Sequence, residues 1–273
     1  DSSTSRGLGD VYKRQYKYCA QNAIELIIVD NNSPDRNIEK VTDFYPDVKL
    51  VQNKINNGFG TANNLGATFA KGEYLFFLNP DTIFLNNALK YFIRFVQNEK
   101  LRVGAVGSIL LSEDLTVNAS YSKNFTSYLE DVFSGILNKF LKRNTKSNDF
   151  LKESYMKVSW VSGADLFLKK SVFNEIGGFD ENFFMYYEEN DLQRRILQQG
   201  YNNYVIDGPK IIHFEGGGVS KISLDKKRII DTSKFYYYKK YSSALEFWIV
   251  SKIYRYLTFI SSVSYTHLRA HET

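Results

Sequence analysis

The sequence predicts an α/β fold with a mainly parallel central sheet flanked by helices, and three observations carry that expectation. Short apolar runs at 24–29, 48–52, 73–78 and 103–111 alternate with helix-length segments. Such runs read as strands buried on both faces, and strands separated by helices pair in parallel. Asp30 and Asp81 each fall just past the end of one of these runs. Ligands in open sheets bind beyond the carboxyl ends of the strands, so both aspartates are expected at one shared site.

Taken in order, residues 24–29 (IELIIV) form a buried strand and Asp30-Asn31-Asn32-Ser33-Pro34 the turn that ends it. A helix over 36–45 and a second strand over 48–52 follow. Asn56-Asn57-Gly58-Phe59-Gly60 is a loop leading into a helix over 61–71, where Ala62, Gly66, Ala67 and Ala70 permit close packing. EYLFFL at 73–78 is the third strand. The helix over 86–98 places Leu89, Phe92, Ile93 and Val96 on one face, and 103–111 is the fourth strand. Residues 112–157 are irregular, an insertion that either shapes acceptor binding or has no function. Strands near 158–161 and 166–168, helices near 171–175 and over 189–199, and strands near 204–206 and 211–214 complete the pattern.

Composition narrows the function classes. The single cysteine, Cys19, excludes a disulfide framework and fits a reducing compartment, so a cytoplasmic protein is expected. No uncharged apolar run reaches the ~18–20 residues of a membrane span. The net charge of +5 is uneven: between Lys221 and Arg255, nine Lys and Arg face three acids. Aromatic residues interleave with that charge at Phe235-Tyr236-Tyr237-Tyr238, Phe247-Trp248, Tyr254 and Tyr256. The combination suits an anionic membrane surface, with peripheral attachment to the inner face of the plasma membrane; a solvated helical face packed on the domain by its aromatics is an equal alternative. No nucleic-acid module accompanies the charge, so no nucleic-acid partner is expected.

The chemistry-bearing residues cluster in motifs. Asp30 can accept from a base N–H or a ribose hydroxyl, or can merely close its own turn, and Asn32 lies in the same turn. Gly58 and Asn64 sit in a glycine loop that opens a helix, a place where backbone approaches an anion; Gly66 and Ala62 serve packing. Asn79-Pro80-Asp81 either offers an oxygen ligand to a hard cation or simply ends a strand. His213 precedes Gly216-Gly217-Gly218, a setting for a ligand or for a structural histidine. Glu188 and Glu189 open a helix about 100° apart, so one of them faces a cleft as a general base while acids there also suit the helix dipole. Gly163 and Asp165 lie between the strands near 158–161 and 166–168, with Trp160 in the first of them. No G-x-G-x-x-G follows the first strand, which disfavours a dinucleotide-binding oxidoreductase.

In this order the motifs resemble the family 2 glycosyltransferases, particularly the rhamnosyltransferase-like branch, over about residues 24–241. The residues that carry the resemblance are Asn56 to Gly66, Asn79-Pro80-Asp81, Gly177-Gly178-Phe179-Asp180, Glu188-Glu189-Asn190-Asp191 and His213. It implies a GT-A-type nucleotide-sugar-binding fold and an inverting transferase with Mg2+ or Mn2+ as cofactor. The implied donor is a dTDP- or UDP-linked sugar, with rhamnose the leading guess, and the implied acceptor a glycan or lipid-linked glycan. On that resemblance Asp30, Asn32, Gly58, Asn64, Asn79, Gly163 and Asp165 would bind donor. Asp81 and His213 would hold the metal, and Glu189, with Glu188 beside it, would supply the base. Asn79 stands where the family's metal motif often has an aspartate, and Glu189 where it has one. The missing carboxylate motivates the alternative of a catalytically silent glycan- or membrane-associated protein. Residues 1–15 and 263–273 resemble translated sequencing-adapter read-through and are expected outside the fold, the alternative being disordered tails. The expected division is 16–220 as the transferase domain, truncated at its N-terminal strand, and 221–262 as a basic aromatic helical segment.

Overall fold

The structure, a computed structural model, describes residues 24–34, 38, 40–118, 120–132, 154–214 and 224–269, with backbone alone for 44 and 257–269. Cys19, Lys221, the glycine loop 216–218, residues 1–15 and 270–273 lie outside the described residues.

The chain divides into two compact units, Asp1–Phe125 with Asn148–Ser233, and Thr126–Ser147 with Lys234–Thr273. In the first unit the strands are β1 (Ile27–Asp30), β2 (Lys49–Gln52), β3 (Tyr74–Leu78), β4 (Thr82–Phe84), β5 (Val103–Leu111), β6 (Tyr121–Ser122), β7 (Tyr155–Val158), β8 (Trp160–Val161), β9 (Asp165–Lys169) and β10 (Asn202–His213). Its helices are α1 (Lys40–Phe44), α2 (Phe59–Phe69), α3 (Ala88–Val96), α4 (Lys170–Ile176) and α5 (Glu188–Gln198). Two longer helices follow, α6 (Leu224–Tyr241) and α7 (Ala244–Arg269), and α7 continues past residue 262, where the sequence reading ended it.

Six strands make the main sheet, in the order β3-β9-β5-β10-β4, with β7 also on β10. β5 and β10 pair in parallel, whereas β9 runs against both β3 and β5, and β4 and β7 run against β10. β1 and β2 form a separate parallel pair. The expected mainly parallel sheet is therefore corrected to a mixed one. β3, β5 and β10 do share one direction, as their helical connections require. The strands that interleave them come from later or shorter segments. Hydrophobic periodicity reports burial on both faces and carries no information about direction.

Side chains alternate across this sheet. Leu75, Phe77, Leu166, Leu168 and Val205 join the α4 and α5 residues Val172, Phe173, Leu192 and Ile196 in one cluster. Phe76, Phe167, Tyr204 and Ile206 join Ala88, Phe92 and Val96 of α3 in the other. Phe92 stacks on Phe167 with centroids 5.3 Å apart and planes at 15°. Full burial of each ring stabilises the fold by roughly 1.5–3 kcal/mol. α3 starts where Asn87 accepts the Lys90 amide at 3.1 Å. α2 lies close to β1 because Gly66 has no side chain: a Cβ there would stand 3.1 Å from Val29 Cγ2.

In the second unit, Tyr128 stacks on Tyr238 at 4.6 Å, and Phe235 packs edge-on against Tyr254 at 5.4 Å. Lys234 forms an ion pair with Asp131. Part of the aromatic run thus packs inside the unit.

Candidate active site

The turn after β3 carries Asn79 and Asp81, and the end of β10 carries His213. Antiparallel pairing sets His213 opposite Thr82, which brings the three together. Asp81 Oδ1 lies 3.2 Å from His213 Nε2, and the Asn79 side-chain amide lies 3.2 Å from the same nitrogen. The turn is fixed by Thr82 Oγ1 donating to the Asn79 carbonyl at 2.8 Å and by the Phe214 amide donating to the Asp81 carbonyl at 3.0 Å. The His213 side chain is only 10% exposed while that of Asp81 is 42% exposed, so the imidazole is anchored and the carboxylate can be reached. The hydrogen bond from His213 holds the Asp81 carboxyl below its usual range, against a smaller opposing push from burial.

The second cluster surrounds α5. Tyr186 and Tyr187, just before the helix, both adopt left-handed backbone, with φ of 71° and 70°. Two such tyrosines in a row are strained, and the surroundings hold them. The Phe59 amide donates to the Phe184 carbonyl at 2.8 Å, and Ser233 Oγ donates to the Met185 carbonyl at 2.7 Å. Glu188 and Glu189 follow at once. Glu188 is buried, 3% exposed, and its Oε2 has no hydrogen-bond partner among the described residues. Burial, with the Glu189 charge adding to it, pushes Glu188 up to about 9. Burial also raises Glu189. The two point apart: a Cβ on Gly60 would lie 3.7 Å from Glu188 Cβ, and one on Gly163 would lie 3.7 Å from Glu189 Cβ. Glu189 therefore faces the Gly163 turn and Glu188 faces the start of α2.

The clusters meet at that turn. The Asn79 amide donates to the Ala164 carbonyl at 3.0 Å, so Asn79 and Glu189 abut adjacent residues of one segment. Gln193 fixes α5 against it, accepting from the Val161 amide at 2.8 Å and donating to the Val161 carbonyl at 2.7 Å. Asp191 pairs with Arg195 at 2.8 Å, and Arg195 also donates to the Ile176 and Gly178 carbonyls, each at 2.8 Å. That ties α5 to the end of α4 and makes Asp191 a structural acid.

Other expected site residues take different places. Asp30 Oδ1 accepts the Ser33 amide at 3.0 Å, closing the turn, and Asn32 beside it is left-handed with φ 64°. Gly58 has φ 88°, and a Cβ there would stand 2.0 Å from the Phe184 carbonyl oxygen. The space beside Gly58 is thus filled by backbone. Asn64 is committed to Phe179, donating to its carbonyl at 2.9 Å and accepting its amide at 2.8 Å. In this structure the Asn64 amide holds the Gly178–Phe179 turn. Asp165 is turned inward. It is 0% exposed and its Oδ2 accepts both the Ser108 amide, at 2.7 Å, and the Ser108 hydroxyl. Burial pushes its carboxyl up to about 7, and its Oδ1 has no partner among the described residues.

Two residues of this region escaped the sequence reading. Asn31 donates to Asn56 Oδ1 at 2.8 Å and to the Gly58 carbonyl at 3.0 Å, and accepts from Asn53 at 3.0 Å. It fastens the end of β1 to the glycine loop. The second is Gln193, which holds α5 to Val161. The recurrence of asparagines at 31, 53 and 56 was the available signal for the first; nothing marked the second.

A mixed sheet flanked by helices, with a reachable carboxylate beyond a strand end and an acid pair, Glu188 buried and Glu189 half-buried, opening a helix beside it, is the arrangement of a GT-A-type nucleotide-sugar-binding fold. The family model described as "Glycosyl transferase family 2" matches residues 13–162, and the chain belongs to that family. It is 26% identical over 208 residues to the N-acetylglucosaminyl-diphospho-decaprenol L-rhamnosyltransferase of Mycobacterium tuberculosis, covering 71% of this chain and 67% of that one. It is 23% identical over 195 residues to the rhamnosyltransferase WbbL of Escherichia coli strain K12, covering 69% and 72%. The crystal structure of GalNAc-T7 with UDP, GalNAc and Mn2+ superposes with a TM-score of 0.56 at 17% identity, over 86% of this chain and 47% of that one. That likeness is one of fold.

Proposed function

We propose that this chain is an inverting, metal-dependent glycosyltransferase. It moves a sugar, rhamnose first among the candidates, from a dTDP- or UDP-linked donor to a hydroxyl of a growing cell-surface glycan or its lipid-linked precursor. The observation that carries the reading is the 3.2 Å approach of Asp81 Oδ1 to His213 Nε2, from segments far apart in sequence. Two ligand atoms at right angles around a small divalent ion, each about 2.1 Å from it, lie about 3 Å apart. The pair therefore fits one Mg2+ or Mn2+, with diphosphate and water completing the shell, and the imidazole favours Mn2+. Among the described residues no group of three His, Cys, Asp or Glu gathers, which suits an ion shared with its substrate. When bound, such an ion supplies positive charge to the leaving diphosphate.

Glu189 acts on the other partner. Its carboxylate takes the proton of the acceptor hydroxyl as that oxygen attacks the anomeric carbon, and the bond to the diphosphate breaks. A raised carboxyl suits this, because a base titrating nearer the working pH holds a proton better. The Asn79 backbone amide on the Ala164 carbonyl and the approach of Glu189 Cβ to Gly163 support a site shared by the two groups. The rhamnosyltransferase names of the two relatives support the donor, and the decaprenol-linked substrate in the mycobacterial name supports a lipid-linked acceptor. Cytoplasmic placement, peripheral on the inner membrane face, accords with such an acceptor. Among the described residues no helix is long and apolar enough to cross a membrane.

The test is transfer from dTDP-rhamnose and from UDP-sugars to an N-acetylglucosaminyl-diphospho-polyprenol acceptor, with and without Mn2+. Glu189→Gln should keep donor affinity and lose roughly 10²–10⁴-fold in turnover. Glu188→Gln should be milder. In the unsubstituted enzyme kcat should fall as pH drops through the raised Glu189 range, because only the ionised form accepts a proton. Full turnover in Glu189→Gln would remove it as the base, and transfer indifferent to chelation would remove the metal.

A further inference from the structure

The second unit holds a cavity that glycosyl transfer does not explain. It has a volume of about 560 Å³ and lies between α6 and α7, lined by Phe235, Phe247 and Trp248 on its apolar side and by Lys239, Lys252 and Arg255. Among the described residues no acid lines it. Asp131, an acid elsewhere in the unit, is paired with Lys234. Ser251 also lines the cavity, and its Oγ is buried with no hydrogen-bond partner among the described residues. Three basic side chains on one cavity offer charge-assisted donors to an anion.

The outer surface of α7 adds an independent observation. Leu245, Trp248, Ile249 and Tyr256 are 69%, 61%, 41% and 66% exposed. They recur with Lys252 at helical spacing, so they form one stripe, and Trp248 and Lys252 belong to stripe and cavity alike. Lys252 Nζ sits 5.8 Å over the Trp248 ring. Exposed leucine, isoleucine and tryptophan flanked by cations match a helix lying in a headgroup layer, its apolar face in the acyl boundary and its cations among phosphates. Aliphatic residues on the stripe favour hydrocarbon over a nucleic-acid backbone, which would call for stacking aromatics alone.

We propose that the second unit is an anionic-lipid site: the Leu245–Tyr256 stripe lies in the membrane surface, and the cavity takes the phosphate and the first part of the acyl chain of one lipid. The inference rests on the peripheral placement proposed above but not on the transfer reaction, and its test uses no turnover.

The chain has two tryptophans, so Trp160→Phe leaves Trp248 as the sole reporter. The full chain is titrated with phosphatidylcholine vesicles with and without phosphatidylglycerol, and with lipids brominated in the acyl chain. Fluorescence should shift to the blue and be quenched by bromine with the anionic vesicles, and the binding should weaken as salt rises. Lys239→Gln with Lys252→Gln should weaken partitioning about 30-fold, about fivefold for each basic group removed. Ser251→Leu, which fills the cavity without changing charge, should also weaken it, with circular dichroism confirming that each variant is folded. Absence of the shift, or equal binding to neutral vesicles, overturns the proposal. So does a shift reproduced by inorganic diphosphate alone, which would make this a soluble-anion site. A shift that follows protein concentration without lipid would make the stripe a contact between copies and would overturn it as well. Unchanged binding in Ser251→Leu would overturn the cavity's part.

Discussion

Gly58→Ala tests how the site is held. At φ 88° an alanine adopts backbone that L side chains avoid, at a cost of roughly 1–2 kcal/mol. The added methyl would also stand 2.0 Å from the Phe184 carbonyl oxygen, and backbone must then move. Overpacking of that kind costs roughly 1–3 kcal/mol more, for a total of about 2–5 kcal/mol. Gly177 supplies the control. Its φ is 82°, but nothing lies within 4 Å of a Cβ there, so Gly177→Ala should show the backbone cost alone. The displaced Phe184 leads directly into Tyr186, Tyr187 and the acid pair. A shift of about 1 Å at a reacting group can cost about 100-fold in rate. Urea denaturation should therefore rank Gly58→Ala well below Gly177→Ala, and kcat should fall with it while donor KM changes little. Equal stability of the two variants would refute the steric argument. Full kcat with a raised donor KM would instead return Gly58 to a ligand-contact role.

Asp81→Asn should abolish Mn2+-dependent donor binding in calorimetry while leaving the unfolding midpoint nearly unchanged, since its side chain is 42% exposed and only its backbone is needed by Phe214. Asp165 should give a pH signature. Its folded value of about 7 lies above the unfolded one, so the folded chain binds the extra proton and stability falls as pH rises from about 4 to about 7. In Asp165→Asn, which can still accept from Ser108, the melting temperature should lose that part of its slope; an unchanged slope would show the carboxyl is not buried as described. Gln193→Leu should leave the Val161 amide and carbonyl without their partner, destabilising the chain by about 2–4 kcal/mol in urea denaturation.

Much of this fold was legible in the sequence, and the parts that were not share a cause. Residues 103–111 form a strand as the uninterrupted apolar run requires, and α3 follows its amphipathic face from the Asn87 cap. β4 went unread because three residues after a turn are too few for a period to show. β10 was read as two strands because Gly208-Pro209 looks like a stop; the structure carries it through with a shift in register between Ile206 and Ile211. Sequence spacing is local, so it located Asp81, His213 and Glu189 and named the chemistry each could perform. Only tertiary structure decided that β9 lies reversed between β3 and β5, because direction leaves no mark on burial. It alone brought Asn64 to the Phe179 backbone and Asp165 to Ser108. A side chain's hydrogen-bond partners come from segments distant in sequence, and the same asparagine or aspartate can face a ligand or a buried amide until those segments meet.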